Sequence, residues 1–164
     1  MADELPDRFR RWFEYERDAH ARVFKSLATV PEDRRSGPEY RKALDLLAHI
    51  VAARRNWLAR LGGGDALAGP VFPQGARVED VAAQWDEAVG RWEVYLGRLD
   101  DAELARVADY RMSDGTPCRN VAEDLLVQLY GHSHYHRGQI AMLVRAAGGE
   151  PAATDFIHWL RRGE

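Results

Sequence analysis

Cysteine is nearly absent from this chain of 164 residues, because Cys118 is the only one. An intrachain disulfide is therefore excluded, and a reducing, cytoplasmic compartment is the expected location. Long apolar runs are also missing, since charged residues interrupt every stretch of about 18 residues, and we expect no membrane-spanning helix. Residues 1–6 lack an apolar segment, so no signal peptide is expected.

The chain also lacks the basic excess that nucleic-acid-binding proteins normally show. Its formal net charge is −3, from 23 basic and 26 acidic residues, and we expect no nucleic-acid partner. What the chain does have is an ordinary globular composition, with 46% hydrophobic and 30% charged residues. Its length suits a single domain, residues 1–164, whose core is large enough to need no disulfide.

Helical periodicity extends over most of the sequence and predicts an all-α fold. There are four substantial amphipathic segments, and four helices with moderately long connections most simply form a four-helix bundle. The first segment begins at Pro6 and ends before Pro31, the second begins near Pro38 and ends before Gly62, the third includes Val81 to Leu99, and the last runs from Thr116–Pro117 to about Ala147.

The connections carry signals of their own. Residues 62–77 contain five glycines and two prolines, which predicts a long surface loop that borders a site. Residues 105–112 partly alternate polar and apolar side chains and are followed by the turn signal Asp114–Gly115, so a short extended segment or small hairpin is predicted before the last long helix. Thr154 is predicted to cap one final turn over residues 155–160.

The histidines are the feature that points to chemistry, because His132, His134 and His136 lie within five consecutive residues. The predicted inward stripe of the last helix continues through His132 and His136, which lie one turn apart on one face. That spacing allows both imidazoles to reach a single ion. His134 lies about 200° around the helix from each of them and is predicted to point outward.

A metal site needs at least a third ligand, and His49 is the natural candidate on or near the inward face of the second helix. Three neutral imidazoles with an open fourth position favour a catalytic rather than a structural ion. Imidazole discriminates poorly among Zn, Ni, Co and Fe, so the metal stays open. The alternative is that these histidines, like His20, are hydrogen-bonded core residues and bind nothing.

Other residues give weaker indications. Arg54–Arg55 form either an anion site or, by default, a solvated basic face. Asp45 is either a partner of His49 or a surface residue. Cys118 lies just inside the predicted start of the last helix, with no catalytic partner nearby in the sequence. Gly138 interrupts the last helix, which predicts close approach of a neighbouring helix.

Residues 132–140, His-Ser-His-Tyr-His-Arg-Gly-Gln-Ile, resemble the H-x-x-x-H-R-G-Q-I signature of the DinB-like superfamily, which includes damage-inducible proteins of bacteria. Residues 47–50 resemble its second-helix histidine segment, and residues 114–117 resemble its turn before the last helix. The resemblance covers nearly the whole chain and implies up-down-down-up topology with one long crossover. It also implies that His49, His132 and His136 are the metal ligands.

Members of this superfamily with known activity include metal-dependent thiol transferases and isomerases that use mycothiol, bacillithiol or glutathione. The resemblance therefore implies a thiol S-transferase that needs a divalent metal ion and a low-molecular-weight thiol, with water or thiolate at the open metal position. A small-molecule ligand and a homodimer are also expected. The alternatives are a non-catalytic metal-binding protein of the stress response, and a structural or interaction module.

Overall fold

The computed structural model describes residues 4–66 and 68–161. Within them the chain forms four long helices, two short ones, a 3-10 turn and a small antiparallel sheet. The elements are, in chain order, α1 (Leu5–Ala28), the 3-10 turn (Glu32–Arg34), α2 (Pro38–Arg60), α3 (Val78–Gly97), α4 (Asp101–Ala105), β1 (Val107–Arg111), β2 (Pro117–Val121), α5 (Ala122–Ala146) and α6 (Phe156–Leu160). The all-α prediction is confirmed, and the predicted extended segment is a hairpin.

Local sequence signals determine where the helices begin and end. Pro38 occupies the first turn of α2, where a missing backbone N–H costs no hydrogen bond. Asp100 precedes α4, and its carboxylate accepts a hydrogen bond from the Glu103 backbone N–H at 2.8 Å. Gly62 and Gly148 follow α2 and α5 with φ of 81° and 85°, the left-handed conformation that commonly ends a helix.

α1 and α3 are antiparallel neighbours. Arg10, near the start of α1, donates to the Leu96 carbonyl at 2.9 Å, near the end of α3. Arg17, two turns further along α1, pairs with Glu93 at 2.6 Å, which lies earlier in α3. The contacting residues therefore move toward the C-terminus of α1 as they move toward the N-terminus of α3.

α2 and α3 run parallel to each other. The Ala76 backbone N–H, just before α3, donates to Asp45 at 3.0 Å, in the first half of α2. Trp92, in the second half of α3, donates through Nε1 to the Arg54 carbonyl at 3.2 Å. A parallel pair requires a connection that returns along the length of the bundle, and residues 61–77 provide this long crossover.

α5 runs parallel to α1. The Tyr130 hydroxyl donates to the Phe9 carbonyl at 2.9 Å at one end of the pair, and Ser26 donates to the Glu150 carbonyl at 2.6 Å at the other. Because the short connection over residues 29–37 reverses the chain between α1 and α2, the topology is up-down-down-up. The four long helices enclose one apolar core. No helix within the described ranges combines the length and apolar character that crossing a membrane requires.

The last long helix begins later than the sequence predicts. The predicted start at Thr116–Pro117 is wrong, because residues 117–121 form β2 and pair with residues 107–111. The fixed φ of Pro117 suits an edge strand as well as the first turn of a helix, so this residue does not distinguish the two. Cys118 consequently lies in a strand, opposite Tyr110, and not at a helix N-terminus.

Two smaller predictions also require correction. Gly138 does not mark a close helix contact, because a Cβ atom added there would meet nothing within 4 Å. α6 begins at Phe156 with Asp155 as its N-cap residue, so Thr154 does not occupy the capping position. Instead the Thr154 carbonyl accepts a hydrogen bond from the Tyr15 hydroxyl at 2.5 Å, which ties this segment to α1.

Candidate metal centre

Folding brings three distant histidines together. His49 from α2 meets His132 and His136 from α5, and one ligand nitrogen from each lies within 4.8 Å of the others. The Nε2 atoms of His49 and His132 are 3.0 Å apart. Within residues 4–66 and 68–161, no further His, Cys, Asp or Glu joins this group. The described residues therefore form a group of three imidazoles.

Hydrogen bonds from Nδ1 of His49 and of His136 leave Nε2 of both rings available to bind an ion. His49 donates from Nδ1 to the Val71 carbonyl at 2.6 Å, and that oxygen can only accept. His136 donates from Nδ1 to Gln139 Oε1 at 2.8 Å. With the proton on Nδ1 of both rings, each Nε2 carries a free lone pair, which is the usual arrangement behind a metal-binding imidazole.

The crossover loop forms one wall of the cluster, as its composition predicts. The Phe72 ring stacks on the His49 ring with centroids 4.1 Å apart, and the Val71 carbonyl lies beside it. Asp45 holds the end of this loop by accepting from the Ala76 backbone N–H. Asp45 is thus neither a direct partner of His49 nor a free surface residue, because it anchors the segment that contacts His49.

The histidines of α5 lie beside its buried face and not in it. The core stripe of this helix continues through Ser133 and Arg137, which are 0% and 2% exposed. His132 and His136 are only partly buried and face α2. The predicted inward stripe through these two histidines is therefore displaced by one residue, and both histidines lie at a partly exposed edge of the bundle.

The arrangement fits a divalent ion. Tetrahedral coordination with bonds of about 2.0–2.1 Å places imidazole nitrogens about 3.3–3.4 Å apart. The His49–His132 separation of 3.0 Å is close to this value, and all three ligand nitrogens lie within 4.8 Å of one another. Burial, with the charges of His136 and His49, lowers the pKa of His132 to about 4. Burial also lowers the pKa of His49. These two rings are therefore neutral at neutral pH, as metal binding requires.

The other candidate residues lie outside the cluster. His134 is exposed on the far side of α5, with Nε2 3.0 Å from the Tyr15 hydroxyl. His20 is fully buried and stacks on Trp85 with ring centroids 4.1 Å apart, so it is a core residue. Cys118 is partly buried in the hairpin, and the three-histidine group does not include it.

Behind the histidines lies a buried group that none of the sequence-based predictions includes. We name Glu16, Arg54 and Arg137 the Glu16 cluster. Arg54 is 1% exposed, so its expected place on a solvated basic face is wrong. Burial alone would raise the pKa of Glu16, but the guanidinium groups of Arg54 and Arg137 lower it to about 2. Glu16 is therefore a carboxylate, and it lies between two buried cations.

One signal for this cluster is present in the sequence. Each arginine follows a clustered histidine by five residues on its own helix, as His49 to Arg54 on α2 and as His132 to Arg137 on α5. At 100° and 1.5 Å per residue, both arginines have the same angular offset from their histidine. Since α2 and α5 are antiparallel, the spacing places both arginines on the same side of the helix pair but displaces them in opposite directions along its axis. Only their long side chains bring both guanidinium groups to one carboxylate.

The fold and the three-histidine group define a four-helix bundle with a candidate site for a divalent ion. The chain belongs to the DinB family, whose model matches residues 1–163. Its fold is similar to the crystal structure of a DinB-like protein from Bacillus cereus ATCC 10987, with a TM-score of 0.66, 21% identity, and coverage of 88% of this chain and 94% of that one. At this identity the likeness concerns the fold alone. No curated protein matches the chain.

Proposed function

We propose that the protein is a divalent-metal-dependent enzyme that transfers a low-molecular-weight thiol to an electrophile. The observation that carries this proposal is the group of three imidazoles, from His49, His132 and His136, without a fourth ligand among the described residues. Structural sites usually close all four positions with protein ligands, whereas catalytic sites keep one open. A bound divalent ion would supply a positive charge at that open position, which lowers the pKa of a thiol there.

The remaining residues of the site bind and orient. The Val71 carbonyl and the Gln139 amide oxygen hold the rings of His49 and His136 in the tautomer that leaves Nε2 free. Phe72 stacks on the His49 ring and is 68% exposed. We assign the Phe72 ring to the apolar part of the thiol or the electrophile, because it flanks His49 on the solvent side.

The three imidazole ligands also influence which metal ion binds. Neutral imidazoles suit Zn, Ni, Co and Fe alike, so the four ions are expected to bind with affinities that broadly follow their general order for nitrogen ligands. Cys118, the only cysteine of the chain, does not belong to the group, so no protein thiolate competes with an incoming thiol for the ion.

Substitution of His136 by Ala tests the site. We expect His136→Ala to lose the metal and the turnover together, because two imidazoles hold an ion much less tightly than three. His134→Ala is the matched control, since this histidine is two residues away but lies outside the group. Elemental analysis and isothermal titration with Zn, Ni and Co measure the metal, and a panel of thiols with a chromogenic aryl halide measures turnover.

The outcomes separate the candidate functions. Activity that survives complete removal of the metal would contradict the proposed enzyme. Fully metallated protein without turnover on a broad panel of thiols and electrophiles favours a non-catalytic metal-binding protein. Wild-type protein that neither contains metal nor gains any from added Zn, Ni or Co contradicts both proposals. Equal loss of metal in His134→Ala and His136→Ala would contradict the choice of ligands.

We further propose that the chain acts in the cytoplasm as a homodimer, and the exposed face of α5 supports the second part. Between Asp124 and Arg145, this fully described helix exposes no Asp, Glu, Lys or Arg, whereas Val127, Tyr135 and Met142 are 51%, 66% and 73% exposed. An antiparallel pair of α5 helices places Asp124 against the partner subunit's Arg145. Sedimentation velocity tests this: Met142→Glu is expected to yield monomers, and a monomeric wild type contradicts the pairing.

A further inference from the structure

One carboxylate joins the two helices that carry the clustered histidines. Glu16 of α1 is 0% exposed, and its two oxygens accept from different helices. Arg54 of α2 donates from Nη2 to Oε2 at 2.6 Å, and Arg137 of α5 donates from Nη1 to Oε1. Both guanidinium side chains are 1% exposed. Glu16 thus links α2 and α5 through the guanidinium groups of two long side chains.

Each arginine is further restrained by its surroundings. Arg137 also donates to the Tyr15 hydroxyl at 2.8 Å, and its guanidinium lies 5.3 Å from the centroid of the Tyr15 ring. Arg54 lies 5.0 Å from the centroid of the Tyr130 ring. A buried guanidinium that loses its carboxylate is strongly unfavourable, because neither water nor another anion replaces the lost charge. Rotation or sliding of α2 or α5 would break one of these pairs.

The positions of the arginines relative to the histidines link this restraint to the metal centre. Arg54 follows His49, and Arg137 follows His132, by five residues each. In both helices this spacing corresponds to about 7.5 Å along the axis and an offset of about 140° around it. Because α2 and α5 are antiparallel, the two arginines lie on opposite sides of the histidines along the bundle axis. One carboxylate that holds both guanidinium groups therefore restrains sliding and rotation of the two helices relative to each other, and with them the Nε2–Nε2 separation of 3.0 Å.

We propose that Glu16 is a positioning residue of the metal centre, which sets the separation of His49 and His132 by joining Arg54 of α2 to Arg137 of α5. This inference rests on the proposed function, because it assumes that the three histidines hold an ion. Glu16 itself touches neither the ion nor a substrate. Its effect is to keep the ligand nitrogens in place before the ion arrives, so that binding does not have to order them.

Titration with Co²⁺ tests the proposal, since the visible spectrum of bound Co²⁺ reports the coordination geometry as well as the affinity. Glu16→Gln keeps the volume of the side chain but removes the charge. We expect it to bind Co²⁺ about 10–100-fold more weakly than the wild type, as for loss of a residue that orients metal ligands. We also expect weaker absorption bands, because the ligand geometry is less uniform.

Leu27→Ala is the control for a general loss of stability. Leu27 is a fully buried residue of the same helix, three turns from Glu16, and its truncation destabilises the core without touching the arginines. Its Co²⁺ affinity and spectrum are expected to match those of the wild type under conditions where both proteins are folded. A Glu16→Gln protein that binds Co²⁺ within threefold of the wild type overturns the inference, as does an equal weakening in Leu27→Ala.

A second variant covers the case in which Glu16→Gln does not fold. Glu16→Asp keeps the charge but shortens the side chain by one methylene, so that it cannot reach both arginines at their present distance. We expect intermediate affinity, and wild-type affinity and spectrum in this variant overturn the inference. If the wild type itself binds no Co²⁺, the proposed metal centre fails, whereas binding that is insensitive to Glu16 refutes only the positioning role.

Discussion

Replacement of Glu16 by Leu tests how strongly the buried ion cluster contributes to stability. The substitution leaves an apolar side chain of similar size in a fully buried position and deprives two guanidinium groups of their only carboxylate partner among the described contacts. Arg137 keeps the Tyr15 hydroxyl, and Arg54 keeps the Tyr130 ring. The substitution therefore removes the negative charge that lies between two buried positive ones.

The expected magnitude follows from burial. Removing one partner of a buried ion pair typically costs about 3–5 kcal/mol, because an uncompensated charge stays in the interior. The two pairs share one carboxylate, so their costs do not simply add, and we expect a total of about 3–5 kcal/mol for Glu16→Leu. A domain of this size changes its Tm by about 2–4 °C per kcal/mol, so the Tm is expected to fall by about 6–20 °C.

Urea unfolding followed by circular dichroism, with a chelator present to remove metal ions, measures this free energy. Glu93→Leu is the matched control, because the Arg17–Glu93 pair has the same 2.6 Å separation as the Arg54–Glu16 pair, but its side chains are 50% and 51% exposed. An exposed pair contributes about 0–1 kcal/mol, so the control is expected to remain close to the wild type.

A triple variant separates lost charge from altered packing. Glu16→Leu combined with Arg54→Met and Arg137→Met replaces the whole cluster by apolar side chains, which for buried ion groups is often neutral or stabilising. We expect the triple variant to regain at least half of the stability that Glu16→Leu loses. A loss below about 1 kcal/mol in the single variant, or a triple variant as unstable as the single one, would refute the reasoning.

Three further predictions concern stability and ionisation. Gly138→Ala is expected to stabilise the protein by about 0.5–1 kcal/mol, because an exposed glycine within a helix is replaced by the best helix former where 4 Å around the added Cβ is empty. Gly148→Ala is expected to destabilise the protein by about 1 kcal/mol, because φ at this position is 85°, a left-handed conformation that is unfavourable for alanine. Urea unfolding curves that shift in the same direction for both variants would contradict these two predictions. Burial lowers the pKa of His20 from 6.5 to about 4. Between these two pH values the histidine is protonated in the unfolded chain but neutral in the native protein. The free energy of unfolding is therefore expected to fall as the pH drops from 6.5 to about 4. The His20 imidazole resonances in NMR are expected to stay constant down to about pH 5, and a midpoint near 6.5 would show that the ring is not buried in solution.

Much of the fold follows from local patterns in the sequence. Helical periodicity identifies the four long helices, and glycine and proline identify the crossover loop and the hairpin turn, because these signals depend only on nearby residues. The grouping of His132 with His136 follows for the same reason, since a separation of four residues places two side chains on one face of a helix. The assignment of His49 to the same group requires only that α2 and α5 pack against each other.

The phase of α5 could not be predicted, because two neighbouring stripes fit the same periodicity. One contains His132 and His136, and the other, one residue further along, contains Ser133 and Arg137. A charged Arg137 favours the first stripe in any sequence-based count, but the structure selects the second. The reason is Glu16, which lies 121 residues away from Arg137 in the sequence. A charged side chain occupies the core only where a partner of opposite charge compensates it, and here that partner is distant in the sequence.

The burial of Arg137 also explains why the histidines have access to solvent. If His132 and His136 occupied the core stripe, an ion bound there would be enclosed by the bundle, and no small molecule would reach it. With Ser133 and Arg137 in the core, both histidines are rotated by about 100° toward the edge between α2 and solvent. The Glu16 cluster therefore keeps His132 and His136 at the partly exposed edge of the bundle, and in our proposal the same buried carboxylate also sets the separation of His49 and His132.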